Sequence, residues 1–93
     1  MRLDRFLWFA RLTSRRAYAQ QLAEGGHLRI DGRRIERAHA PVRVGNVLAF
    51  AHRGEVRIVR VEKLPARRGP PAEGRACYID LKIENVSQKE PFD

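Results

Sequence analysis

Residues 24–35 read EGGHLRIDGRRI, and the reading of this stretch decides the fold. Leu28 and Ile30 point one way and His27, Arg29 and Asp31 the other, a period of two that marks a strand. Asp-Gly is a strong signal for a two-residue type I′ turn, since both central residues must take positive φ. A hairpin centred on Asp31-Gly32 sets Ile30 opposite Arg33, Arg29 opposite Arg34 and Leu28 opposite Ile35. Two guanidinium groups then face each other on the polar side, at a cost of up to ~1 kcal/mol. A one-residue slip would separate them. A phosphate lying against both would turn the repulsion into attraction, which makes Arg29 and Arg34 candidate contacts for nucleic acid.

Outward from the hairpin, the period changes to that of a helix. In LDRFLWFARL, Leu3, Phe6, Leu7 and Ala10 share one helical face. Thr13 and Ser14 interrupt the pattern, and either is a suitable cap for a second helix, RRAYAQQLAE. Its apolar face is Tyr18, Ala19, Leu22 and Ala23, while Arg16, Gln20 and Glu24 line another, and Gly25-Gly26 supplies the stop. Tyr18 is read as core, and Trp8 and Phe9 as outer packing residues. Beyond the hairpin, APVRVGNV is a loop with a turn near Gly45-Asn46. VLAFA and EVRIVRVEKL make a further hairpin about HRGE, with a bulge or two-sided burial at Ile58-Val59, where the alternation slips. LPARRGPP is a linker, AEGRACYIDLKI a short helix packing back on the body, and ENVSQKEPFD a frayed tail.

The predicted class is therefore α+β: two N-terminal helices packed on a small mixed or antiparallel sheet with β-hairpins, and a short C-terminal extension. Residues 1–64 form the domain with its sheet, and residues 65–93 the linker, short helix and tail.

Charge narrows the function. The 93 residues carry 19 Lys+Arg against 11 Asp+Glu, a formal charge of +8, and arginine far exceeds lysine. The excess lies in the first 60 residues, with 13 basic and 5 acidic side chains, whereas residues 61–93 hold 6 of each. A GC-rich genome would favour arginine over lysine, but not its confinement to one part of the chain. A polyanion is the expected partner. Arg15 and Arg16 stand at the start of the second helix, where the dipole disfavours cations by a few tenths to ~1 kcal/mol each. A bound anion would reverse that penalty. With Arg2, Arg5 and Arg11 they form the first candidate site, and Asp4 in the first turn organises Arg2 or Arg5.

Other classes find little support. Cys77 is the only cysteine, so no internal disulfide or cysteine zinc site exists, and His27, His39 and His52 are too dispersed for a local metal site. No Ser/His/Asp order, phosphate-cradling glycine loop or poised acidic pair is present, so no enzyme activity, cofactor or small-molecule substrate is expected. No apolar run of spanning length exists, and MRLDRFLWFARL is unlike a signal peptide, so a cytoplasmic protein without a membrane partner is expected. Two alternatives stay open: a helix-turn-helix DNA-binding protein and an interaction module for an acidic protein.

RLDRFLWFAR, SRRAYAQQLAEGGHLRIDGRRI and VRVGNVLAF together resemble the RNA-binding domain first described in ribosomal protein S4. That domain recurs in tyrosyl-tRNA synthetases, pseudouridine synthases and small basic ribosome-associated heat-shock proteins. The resemblance implies an alpha-L RNA-binding motif whose RNA surface is built by the first two helices and the following hairpin. Carried over by position, Arg2, Asp4 and Arg5 match the opening motif, Arg11 the basic end of helix one, and Arg16 the arginine starting helix two. Arg15 stands where the family has a hydroxyl residue, Asp31 where Asn-Gly is usual, and Asn46 where Gly-Asp is usual. Resemblance to the heat-shock members implies ribosomal RNA or tRNA on the large ribosomal subunit as partner, in heat shock or ribosome recycling. The expected RNA-binding set is Arg2, Asp4, Arg5, Arg11, Arg15, Arg16, Gln20, Arg29 and Arg34.

Overall fold

A computed structural model describes residues 1–52 and 54–81; the tail expected over ENVSQKEPFD lies outside them. The elements run α1 (Leu3–Phe9), α2 (Arg16–Glu24), β1 (Leu28–Ile30), β2 (Arg33–Ile35), β3 (Val47–His52), β4 (Glu55–Val61), α3 (Pro71–Arg75) and β5 (Tyr78–Asp80). One five-stranded sheet has the order β2-β1-β3-β4-β5, antiparallel throughout. The α+β class is as the sequence predicts.

The β1–β2 hairpin has the predicted register, Leu28 opposite Ile35, Arg29 opposite Arg34 and Ile30 opposite Arg33. Asp31 (φ 51°) and Gly32 (φ 85°) take the two left-handed positions of the type I′ turn. Asp31 does more than turn the chain. Its carboxylate accepts from the Asn46 side-chain amide at 2.7 Å and from the Val47 N–H at 2.8 Å, which ties the turn to the start of β3. Strand alternation then sorts the sheet. Leu28, Ile30, Leu48, Phe50, Val59 and Val61 face inward, and Arg29, Arg34, Ala49 and Ile58 face outward. Pairing between β3 and β4 is unbroken from Val47–Arg60 to His52–Glu55, so there is no bulge at Ile58-Val59. The apparent slip is two-sided burial: Val59 lies in the core and Ile58 is half-buried on the outer face.

Leu3, Phe6, Leu7 and Ala10 bring α1 onto the inner face and are fully buried. The helix ends in a Schellman turn: Leu12 N–H bonds Leu7 O at 3.0 Å, and Arg11 N–H bonds Trp8 O at 3.2 Å. Arg11 occupies the left-handed position (φ 62°) that glycine usually fills, and Leu7 and Leu12 are both buried beneath the turn. The N-terminal amides of α1 are satisfied by the β2–β3 loop, Leu3 N–H to Ala40 O at 2.8 Å and Asp4 N–H to Ala38 O at 3.0 Å.

Helix α2 departs from expectation in two ways. Its N-cap residue is Arg15, with no side-chain cap, because the Thr13 hydroxyl is buried and donates to the Arg15 carbonyl instead. Tyr18 is half-buried at the rim, where its ring lies 5.7 Å from that of His52; the core side of α2 is Ala19, Leu22 and Ala23.

The segment after β4 is not a loose tether. Arg68 lies over the Trp8 ring at 3.6 Å and hydrogen-bonds the Trp8 and Thr13 carbonyls, while Arg11 Nε donates to Gly69 O at 2.7 Å. The helix expected in AEGRACYIDLKI covers only Pro71–Arg75, starting at proline as its missing N–H permits. The alternating Tyr78–Asp80 then adds β5 to β4, so the sheet draws a strand from beyond residue 64. Gly74 is required here: a Cβ would lie 2.8 Å from the Ala10 carbonyl oxygen.

Candidate nucleic-acid interface

The facing sides of α1 and α2 enclose a cleft of about 100 Å³ lined by Arg2, Asp4, Arg5, Trp8, Phe9, Arg16 and Gln20. About 10–15 Å³ of such space holds one water, so the cleft has room for a phosphate group. Five of the nine expected site residues meet here.

Their electrostatic states differ. Arg2 and Asp4 form a two-pronged ion pair, Nε to Oδ1 at 3.0 Å and Nη2 to Oδ2 at 2.8 Å. Asp4 is the more enclosed partner, with 15% side-chain exposure against 45%. It therefore organises Arg2 rather than Arg5, and the pair is close to neutral. Gln20 donates to Glu24 across one turn at 3.4 Å. Arg5 and Arg16 are exposed and make no ion pair or hydrogen bond through their side chains among the described residues. Arg16 opens α2, whose first turn holds no acidic residue and whose N-cap offers no side-chain acceptor. Two unpaired guanidinium forks and the positive end of a helix dipole therefore adjoin one small cleft. An oxyanion is the chemical complement of that arrangement.

The remaining expected residues lie elsewhere. Arg15 lines a separate concavity with Tyr18 and His52. Arg11 is drawn away from the cleft to hold Gly69. Burial, and then the nearby charge of Arg11, lower the Arg68 pKa, as befits two cations packed around one helix end. Arg29 and Arg34 face outward on the sheet, opposite the face that carries the helices. Their mutual repulsion is answered locally: Arg29 donates to the Gly32 carbonyl at 3.0 Å, and Arg34 pairs with Glu36 at 3.1 Å.

Sequence reasoning assigned Trp8 and Phe9 to packing. Both are half-buried, and Trp8 packs against the core, yet both also form part of the cleft wall. Arg68 was missed altogether, because its partner Trp8 lies 60 residues away and no local pattern announces it.

Comparison with known proteins agrees with this architecture. The S4 domain family profile matches residues 1–48, more than half of the chain, and the chain belongs to that family of RNA-binding domains. RNA in general is thus its class of ligand. Among individual relatives, the Heat shock protein 15 of three Escherichia coli strains is 30% identical over 90 residues. The alignment takes in 97% of this chain and 66% of those proteins, so the chain spans about two thirds of their length. A trimeric structure of Vibrio cholerae Heat Shock Protein 15 shares the fold, with a TM-score of 0.81 at 23% identity, covering 100% of this chain and 98% of that one.

Proposed function

We propose that the chain binds structured RNA by phosphate and shape, through the α1–α2 cleft. The RNA is ribosomal RNA or tRNA on the large ribosomal subunit, and the role lies in heat shock or ribosome recycling in the cytoplasm. The observation that carries the RNA contact is the pair of guanidinium groups, Arg5 and Arg16, that have no partner among the described residues and lie beside the uncapped start of α2. Arg2 and Asp4 set the rim, Gln20 adds an amide, and Arg15 extends the positive field along the same helix start. Structured RNA is favoured over single strands because Trp8, with Arg68 over its ring, and Phe9 are both half-buried in the cleft wall and form no exposed stacking platform. The ribosomal part of the reading rests on the kinship with Heat shock protein 15. Arg11 belongs to the scaffold in this account, and Arg29 and Arg34 contribute at most a peripheral field.

The test is the double variant Arg5→Ala with Arg16→Ala. RNA affinity should fall at least tenfold while the melting temperature stays within a few degrees, since neither side chain holds another element. A stability collapse, or unchanged affinity, would refute the assignment. Crosslinking in cells followed by sequencing of the bound RNA tests the partner: reads concentrated in large-subunit RNA or tRNA support it, and reads spread over messenger RNA count against it.

A further inference from the structure

The second strand of the first hairpin and the loop after it carry a further concentration of positive charge that the cleft does not use. Arg33 on β2, Arg37 in the β2–β3 loop and Arg43 ahead of β3 line one concavity of about 550 Å³. All three are exposed, and none of their side chains has an ion-pair or hydrogen-bond partner among the described residues. The carboxylate in the concavity, Asp31, already accepts from the Asn46 amide and the Val47 N–H. Among the described residues the local excess of positive charge is therefore uncompensated, and the volume lies within the roughly 300–1,000 Å³ usual for ligand sites.

We propose that Arg33, Arg37 and Arg43 form a second phosphate-binding site, which holds the sugar–phosphate backbone of an RNA as it leaves the α1–α2 cleft. This rests on the reading of the cleft as an RNA site. Two observations favour RNA over an acidic peptide. First, the concavities adjoin: Arg2 lines the cleft, and its backbone bridges Pro41, which lines the second concavity. A regularly spaced polyanion such as a sugar–phosphate chain spans both. Second, all three cations are arginines, whose planar forks suit phosphate oxygens. Among the described residues no aromatic lines the concavity, so it takes backbone and not a stacked base. Its apolar lining, including Ile35 and Pro41, suits the faces of ribose rings.

The experiment measures RNA affinity as a function of potassium chloride for the full chain. The probe is an RNA hairpin carrying a 20-nucleotide single-stranded flank. Arg33→Ala/Arg37→Ala/Arg43→Ala should flatten the slope of log affinity against log salt by about 2–3, at roughly 0.7–0.9 per phosphate released. Affinity at low salt should fall at least tenfold. The corresponding triple lysine variant should keep the wild-type slope, and both should melt within a few degrees of wild type. An unchanged slope in the alanine variant overturns the second site; if Arg5→Ala/Arg16→Ala still loses binding, the cleft survives that result. Unchanged RNA binding with lost binding to polyglutamate would make this a dock for acidic proteins, and overturns the proposal as well. A wild-type chain that binds no RNA overturns both readings.

Discussion

Replacing Arg68 with alanine should unfasten residues 65–81 from α1. The structure gives this side chain three tasks: it covers the Trp8 ring at 3.6 Å, and it donates to the carbonyls of Trp8 and Thr13 at the end of α1. A partly desolvated cation–π contact contributes about 1 kcal/mol. Charged hydrogen bonds to two carbonyls, one of them long at 3.4 Å, contribute about 1–3 kcal/mol together. Relief of the repulsion from Arg11 returns a few tenths, leaving a loss of about 2–4 kcal/mol. For a domain of this size, each kcal/mol shifts the midpoint by roughly 4–8 °C, so the melting temperature should fall by about 8–32 °C. Thermal unfolding followed by circular dichroism measures this directly, and Trp8 fluorescence should change with it because its ring loses its cover. Arg68→Lys should recover only part of the loss, since an ammonium neither stacks flat nor forks. A fall of less than about 3 °C for Arg68→Ala would refute the clamp and make this segment an independent appendage.

Other consequences are briefer. Gly74→Ala should lower stability by about 1–3 kcal/mol, because its Cβ would lie 2.8 Å from the Ala10 carbonyl oxygen in a packed seam; chemical denaturation reads this out. Asp31→Ala should cost about 0.5–1.5 kcal/mol, because the two hydrogen bonds it accepts are exposed and water replaces the lost acceptor, with the loss measured by urea midpoint. Arg29→Ala should stay within about 0.5 kcal/mol of wild type, since the removed repulsion from Arg34 and the lost bond to Gly32 are both small. Burial raises the Cys77 thiol pKa, with Lys63 opposing and Glu73 assisting, so the folded state holds this proton more tightly than the unfolded one. Its stabilising contribution is complete below the unfolded thiol pKa of about 8.5 and declines as pH rises above it. Cys77→Ala should remove that part of the alkaline dependence, and the native thiol should react slowly with a disulfide reagent at neutral pH.

Local chemistry that names its own geometry was the part of the structure open to reading in advance. Asp31-Gly32 specifies a two-residue turn, a two-residue turn specifies a register, and the register placed Arg29 opposite Arg34. The apolar stripe Leu3, Phe6, Leu7, Ala10 likewise marked the buried face of α1. What escaped were features decided at long range. Thr13 is a competent cap by type, but its hydroxyl turned to the Arg15 carbonyl as the chain left the Schellman turn. Tyr18 fits the apolar face of α2 by period, yet β3 ends beside it, and His52 rather than the core receives its ring. Strand β5 is three residues long and follows a helical turn, too short for its alternation to outweigh the preceding pattern. Within the cleft, Arg2, Asp4, Arg5 and Arg16 could be named because they sit at helix starts, where charge has a preferred sign. Arg11 sits at a helix end, where a cation is expected in any helical protein, so its attachment to Gly69 left no trace in the local sequence. Arg33, Arg37 and Arg43 follow no period, and only the fold brings them together.

The most direct test of the account is the salt dependence of RNA binding by the wild-type chain beside its Arg5→Ala/Arg16→Ala variant. With about four to six phosphates neutralised, log affinity should fall with log salt at a slope of about −3 to −5, and the variant should be shallower by about 1.5. A wild-type affinity indifferent to salt, or a variant whose slope matches wild type, would contradict the claim that unpaired arginines beside the α1–α2 cleft hold the RNA.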